Sequence, residues 1–512
     1  MSATVYGRGH VALLTAGEAA ALDRRAQEGG IPERALMENA GRAAAQVIHR
    51  LYPEGRVVAV VGSGNNGGDA MVALRSLHLW GRDVAWVPAG SSDPDPELTA
   101  GTDLPRVELD DAPAALAGAG VIVDGILGTG VTGAPREPAA TVIGRMNEAR
   151  PPIVALDNPS GVDPTTGAVP GVSVAADATI MFGWPKAGAL FQPGRQRCGR
   201  LLAVEIGFPP LRDDEYRAAL ITPDWARARL PSREPDAHKN SVGRVVIAAG
   251  RKGMAGAAVI AGHSALRAGA GYARVVSDEA NRAIIQGSVP AALFVDRADP
   301  GAIRDAVAQA DAVLVGPAIG TGDTGRGLLV AILDALDGRG VVLDADALTI
   351  LAEQGGLGAI DGPALLTPHP GEMARLVDRS IGEIQADPMD AARSLAEEHG
   401  VTVLLKGSPS VVATPGGPVL VSAVGSSDLA TAAMGDQLGG LATAFLAAGA
   451  TAIDAAGLAL LYGGRAAALA GRGRSLTPVD VADRMHEAFD RPGPRQSPTG
   501  LPFVVFDQSP RW

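Results

Sequence analysis

Cysteine, aromatic side chains and positive charge are all in short supply in this sequence. A single cysteine, Cys198, among 512 residues excludes an intramolecular disulfide framework and a cysteine-based zinc site, and reads as a reduced intracellular thiol without a role. Lys and Arg number 44 against 56 Asp and Glu, a formal charge of −12, and no long basic run occurs. That excludes nucleic acid as a main partner but leaves room for a local basic site for phosphates. The first twenty residues lack a basic stretch followed by a long apolar core, so no signal peptide is read. The apolar stretch from Leu429 to Leu461 is broken by Asp436, Gln437 and Asp454, which predicts packed helices and not a membrane span. A cytoplasmic protein with no membrane partner is expected.

Hydrophobic residues reach 46%, charged residues 20% and aromatics only 4%: a soluble, alanine- and glycine-rich globular chain, too long for one core. From about residue 10 to 208, helical patterns alternate with the short runs "RVVAVV", "DVAWV", "VIVDGIL", "PIVALD", "ATIMFG" and "LLAVEIG". The same grammar restarts at "RVVIAAG" and continues through "YARVVS", "AVLVG", "GVVLDAD", "ALLTP", "VTVLLKG" and "SVVAT". Strand, glycine-rich bend and helix in alternation mean a parallel sheet covered by helices. The fold class is therefore α/β, with domains at 1–218 and 219–490. The tail 491–512 is an appended strand or a mobile end.

Gly62, Gly64 and Gly67 in "VGSGNNGGDA" spell G-x-G-x-x-G between a strand and a helix, the form of a dinucleotide fingerprint. A nicotinamide-binding fold also needs an acid at the end of its second strand. Here Asp83 precedes that strand and Ala89-Gly90 follows it. Asn65, Asn66 and Asp69 in the loop suit a cation or a sugar hydroxyl beside phosphate-binding N–H groups. Asp124, in "VIVDGILGTGV", and Asp157 and Ser160, in "VALDNPSGVDP", occupy further strand ends. They should converge on the glycine loop, because ligands of open α/β sheets sit outside the carboxyl ends of the strands.

"LMENAGRAA" (36–44), "GSGNNGGDA" (62–70), "DGILGTGVTG" (124–133), "LDNPSGVDPTTG" (156–167) and "FGWPKAG" (182–188) resemble, in order and spacing, the NAD(P)H-hydrate epimerase domain, which is Rossmann-like. The resemblance implies that Asn65, Asn66, Gly67, Gly68 and Asp69 bind the hydrated nucleotide, with Gly128, Thr129, Gly130, Val131, Thr132, Gly133, Ala134 and the catalytic Asp157. It implies a potassium ion among Asn66, Asp124 and Ser160. Lys186 is a weaker candidate partner, otherwise a solvated surface lysine. Ala70 stands where the family commonly has a third glycine.

The order of "LVGPAIG" (314–320), "LLTPHPGEMARL" (365–376), "LLKGSPSVV" (404–412) and "LATAAMGDQLGG" (429–440) resembles the ADP-dependent NAD(P)H-hydrate dehydratase, a ribokinase-like domain. This implies that Ala257, Ala318, Gly320, His369 and Asp436 meet the hydrated substrate, with Asp436 catalytic. Lys406, Gly407, Ser408, Pro409, Ser410 and Gly435 would then meet ADP, or ATP, arriving with Mg2+. Taken alone, His369 between two prolines reads as a structural turn histidine. Ala318, Ala432 and Ala433 replace glycines of the family pattern, and Asp428 adds negative charge near the expected phosphate. A methyl group on a residue at positive φ would cost about 1–2 kcal/mol and crowd the phosphate.

Fusion of the two families implies a repair enzyme that epimerises hydrated NADH and NADPH and dehydrates the S epimer at the expense of ADP. The alternative is an active epimerase joined to a degenerate or altered-specificity kinase-like module. The alanine-rich helices suit a homo-oligomeric interface as well as tight packing within a domain.

Overall fold

The computed structural model describes residues 5–90, 92–130, 133–358 and 360–510. Its chain divides into two compact units, one formed by residues up to 220 together with those from 494 on, the other by residues 221–493.

In the first unit, six parallel strands run in the order Arg200–Val204, Ala178–Phe182, Ile153–Leu156, Val121–Gly125, Val57–Val61, Val84–Pro88. All six are the β-branched runs read from the sequence. They are buried on both faces, so they read as continuous apolar runs without alternation. The tail supplies what the sequence left open. Val504–Gln508 adds antiparallel to Arg200–Val204 and pairs on its other side with Val5–Gly7, and Arg200 grips Asp507 through two hydrogen bonds of 2.9 Å. The tail is therefore part of this unit's sheet and not a separate end. Helices Glu33–Leu51 and Asn65–Leu79 pack closely on one face because Gly41 lacks a side chain: a Cβ there would lie 2.5 Å from the Val72 Cβ.

The second unit's sheet begins with seven parallel strands in the order Leu293–Asp296, Tyr272–Ser277, Arg244–Ala248, Ala312–Val315, Gly340–Leu343, Ala364–Leu366, Thr402–Leu405. Val411–Ala413 and Val419–Ser422 follow antiparallel. Leu293–Asp296 and Val419–Ser422 escaped the sequence reading; the first is a partly exposed edge strand without a strong apolar run. Helix Met434–Ala447 lies on helix Ala255–Arg267, with Gly440 at the contact, where a Cβ would fall 2.3 Å from the Ala261 carbonyl oxygen. Among the described residues, Ala452–Ala470 is the one helix long and apolar enough to cross a membrane by length and composition. It is buried over half its length, and its Tyr462 packs against the Phe489 ring, tilted at a centroid distance of 5.0 Å, as expected of a core helix.

Candidate active sites

The first site grows from the carboxyl ends of parallel strands. Val57–Val61 turns through Gly62 and Gly64 into helix Asn65–Leu79. The turn is tight because side chains are missing: a Cβ on Gly62 would lie 2.0 Å from the Ile126 carbonyl oxygen, and one on Gly67 2.0 Å from that of Gly62. No side chain caps the helix at Gly64.

Asp124 is fully buried at the next strand end. Its carboxylate accepts from Ser160 Oγ (2.7 Å), Ser160 N–H (2.8 Å) and Ile126 N–H (3.2 Å). Loss of solvation outweighs these bonds and pushes its pKa up to about 6. Leu127 ties in the rest, since its N–H donates to Ser160 Oγ (2.9 Å) and its carbonyl accepts from Asn66 Nδ2 (3.1 Å). The other amide atom, Asn66 Oδ1, is buried without a partner.

Asp157 follows strand Ile153–Leu156 in the left-handed region, at φ +60°, a conformation that costs a non-glycine residue about 1–2 kcal/mol. Lys186 holds it there. The Lys186 Nζ lies 2.6 Å from Asp157 Oδ1 and donates to the carbonyls of Phe182 (2.8 Å) and Trp184 (3.3 Å), and Phe182 N–H reaches the same Oδ1 (3.2 Å). Lys186 is 3% exposed, so this is a buried ion pair and not the surface lysine it resembles in the sequence. Both residues line a cavity of about 530 Å³, together with Asn65, Asn66, Asp69 and Asp23. Burial, then the Asp157 and Asp23 charges, hold the Asp69 pKa well above the usual carboxylate range, and burial raises that of Asp23.

The second site is built on the N-terminus of helix Met434–Ala447, capped by Ala433 at φ +66°. Asp436 in the first turn has its pKa pushed up to about 7, chiefly by burial and then by Asp344, with Lys406 pulling the other way. Asp344 ends strand Gly340–Leu343, and its Oδ1 lies 2.8 Å from Lys406 Nζ; Glu372 Oε2 is 3.9 Å from the same nitrogen. Burial works against the Lys406 ammonium, but Asp344 and Glu372 outweigh it and raise the pKa. Gly435 makes the room, since a Cβ there would stand 3.4 Å from Lys406 Nζ. A second set of contacts joins the loops beyond the other strands: Gly320 N–H to Asp346 Oδ2 (2.7 Å), Arg251 N–H to Ala318 O (2.6 Å) and Gly250 N–H to Pro317 O (2.9 Å).

Residues 245–487 match the family model described as NAD(P)H-hydrate dehydratase, and residues 33–188 the model described as YjeF-related protein N-terminus. The chain is 37% identical over 525 residues to the bifunctional NAD(P)H-hydrate repair enzyme Nnr of Salinibacter ruber, covering 92% of this chain and 95% of that one. It is 35% identical over 431 residues to the enzyme of the same name from Escherichia coli K12, covering 82% of each. The chain belongs to the bifunctional NAD(P)H-hydrate repair enzyme family. A ribokinase-like superfamily protein from Enterococcus faecalis V583 shares the fold of the second unit, with a TM-score of 0.50 at 22% identity over 56% of this chain and all of that one.

Of the residues that the sequence names for the first site of this NAD(P)H-hydrate repair family member, the structure brings the acids and amides to one cavity wall but not every glycine. Asn65, Asn66, Asp69, Gly128, Thr129, Gly130 and Asp157 line the cavity. Gly67 and Gly68 do not; Gly67 packs on Gly62, and a Cβ on Gly68 would strike Met37 Sδ at 2.6 Å. Gly133 and Ala134 also lie off the cavity wall, and Val131 and Thr132 fall outside the described residues. Ala70 is accommodated by Gly125 opposite, where a Cβ would be 2.5 Å from the Ala70 Cβ. Asp23, on helix Ala16–Glu28, was missed, because nothing in a polar helical face announces that it meets a cavity.

In the second site, Asp344 and Asp346 were also missed, although Asp344 carries the strand-end signal that identified Asp124. His369 is a helix cap: its Nδ1 accepts from Gly371 N–H (2.9 Å) and Glu372 N–H (3.2 Å), and its Nε2 lies 3.4 Å from Glu372 Oε1. Ser410 Oγ closes the Gly407 turn, and Ser408-Pro409 lies within it. Ala257 falls in the first turn of helix Ala255–Arg267. Asp428 is turned toward its own loop, accepting from Ser426 Oγ (3.2 Å).

The two alanine replacements beside Asp436 are not equivalent. Ala433 sits at φ +66°, whereas Ala432 is not among the residues at positive φ. Ala433→Gly should therefore stabilise the protein by about 1 kcal/mol, raising the melting temperature by roughly 2–4 °C, while Ala432→Gly should give no gain. Calorimetric scans of the two single variants separate them, and equal shifts would show that the strain is not at residue 433.

Proposed function

We propose that the first unit interconverts the R and S epimers of hydrated NADH and NADPH, and that the second dehydrates the S epimer at the expense of ADP or ATP. Family membership favours this over an active epimerase joined to a degenerate kinase-like module. The observation that carries it is that each unit holds a carboxylate placed to act as a base, in a different environment: Asp157, locked by Lys186 on a cavity wall, and Asp436, at a helix start with a pKa of about 7.

In the epimerase half, Asp157 takes the proton from the ring hydroxyl as the bond from that carbon to the ring nitrogen breaks to give an aldehyde, and returns it when the nitrogen adds back to the opposite face; Lys186 orients the carboxylate. In the dehydratase half, Asp436 accepts the proton of the same hydroxyl as it attacks the terminal phosphate. The helix N-terminus at Gly435 faces the charge that develops there, and Lys406 balances the Asp344 carboxylate beside it. The phosphorylated hydroxyl then leaves as inorganic phosphate, pushed out by the ring nitrogen lone pair, and the adjacent ring carbon loses a proton to restore the ring double bond.

A monovalent cation fits the first site. Asn66 Oδ1 is buried without a partner, Asp124 supplies the single buried carboxylate, and Ser160 and Leu127 offer neutral oxygens. One carboxylate among otherwise neutral oxygens suits a monovalent ion better than a divalent one. Potassium there would supply positive charge against Asp124 and anchor Asn66. Potassium should raise the melting temperature of the wild-type first unit above its value in choline, and Asn66→Ala should abolish the difference. Identical melting in both salts would remove the cation from the account.

The function itself is tested with a mixture of hydrated NADH epimers. Without a nucleotide, the full chain should only exchange R and S; with ADP and Mg2+ both should drain to NADH. Conversion that ignores ADP would sink the assignment.

A further inference from the structure

The dehydratase site is strongly acidic for an enzyme whose proposed substrate carries a diphosphate. Asp344, Asp346, Glu372 and Asp436 crowd it, and its one lysine, Lys406, is already committed to Asp344 and Glu372. Something outside this cluster has to balance the substrate's diphosphate. Resting on the dehydratase reading, we propose that Arg251 binds the diphosphate of the hydrated dinucleotide and so helps set affinity for that substrate.

The placement is specific. Arg251 lies in the turn "GRKGMAG" after strand Arg244–Ala248. Its backbone is fixed at both ends: its N–H donates to Ala318 O at 2.6 Å, and its carbonyl accepts from Asn281 Nδ2 at 3.0 Å. Asn281 is itself buried and also bonded to Gly250 O (3.3 Å) and Ser277 Oγ (3.2 Å), so the turn rests on a rigid shelf. The side chain passes over Gly320, where a Cβ would come within 3.3 Å of Arg251 Cδ. Gly320 N–H in turn holds Asp346 Oδ2, so Gly320 lies between Asp346 and the Arg251 side chain.

Among the described residues, no hydrogen bond or ion pair engages the Arg251 guanidinium. Arg297, another arginine of this region, differs: it spends a nitrogen on Ile319 O (3.1 Å). A substrate whose hydroxyl meets Asp436 and whose remaining length runs past Asp346 and Gly320 brings its diphosphate to Arg251. The nucleotide cosubstrate, expected at Gly407–Ser410 and Gly435, has no need of it. A guanidinium is suited to this role because its planar fork matches phosphate oxygens in pairs and its charge is permanent.

The test is steady-state kinetics of the full chain with the pure S epimer of hydrated NADH and ADP. Arg251→Gln should raise KM for hydrated NADH about tenfold or more, as expected for loss of a charged hydrogen bond. The kcat should stay within about twofold and KM for ADP should not change. Arg251→Lys should recover much of the loss. Hydrated dihydronicotinamide riboside, which has no phosphate, should show the same KM with wild type and Arg251→Gln. An unchanged KM for the dinucleotide, an equal loss on the riboside, or a loss that appears in KM for ADP each overturns the inference. No turnover by wild type overturns the dehydratase reading and this inference with it.

Discussion

Asp157→Asn should reduce epimerisation of hydrated NADH by at least about 10²-fold, the usual scale for removing a positioned general base, and leave dehydration of the pure S epimer unchanged. The amide preserves shape and an acceptor for the Phe182 N–H but removes the charge opposite Lys186. Leaving that ammonium buried and uncompensated can cost about 3–5 kcal/mol, so circular dichroism and the melting transition of the variant serve as the control for folding of the first unit. Lys186→Met should fail in epimerisation too, since Asp157 would lose the contact that holds it at φ +60°. Near-normal epimer exchange by Asp157→Asn would remove this residue from the mechanism.

The second large effect belongs to Asp436. Asp436→Ala should abolish dehydration with little change in ADP affinity, because a base acts on the chemical step and not on ground-state binding. Its pKa of about 7 also sets the pH dependence: a base must be ionised, so wild-type dehydration should rise with pH through about 7 and then level off. The same shift has a stability consequence. The folded-state pKa lies above the unfolded value of 3.8, so the residue's contribution to stability is greatest below that value and is lost as pH rises through 7. Asp436→Asn, inert but free of the buried charge, should therefore melt higher than wild type at pH 8, and by a wider margin than at pH 5. The opposite ordering would mean that Asp436 is not held in its protonated form by burial.

The strands and the strand-end acids were legible because both follow from local rules. A parallel strand buried on two faces is a run of Val, Ile and Leu, and Asp124 and Asp157 stand where such runs stop. Lys186 was legible only as a weaker candidate partner of Asp157, because its burial depends on the Phe182–Lys186 loop folding back onto Asp157, a tertiary event. Asp23 on helix Ala16–Glu28 was not legible, nor was the return of Val504–Gln508 to pair with Arg200–Val204, about three hundred residues earlier. Sequence pattern flagged Ala432 and Ala433 alike, and only the backbone shows that one of them sits at positive φ. Asp344 could have been found by the rule that found Asp124.

The most direct test of the whole account starts from the pure R epimer of hydrated NADH with ADP, Mg2+ and the full chain, followed by chromatography. The account predicts that the S epimer appears first, NADH follows after a lag, and the R epimer is consumed completely, whereas Asp436→Ala halts the reaction at an R and S mixture and Asp157→Asn leaves the R epimer untouched. NADH formed from the R epimer by Asp157→Asn at the wild-type rate would contradict it.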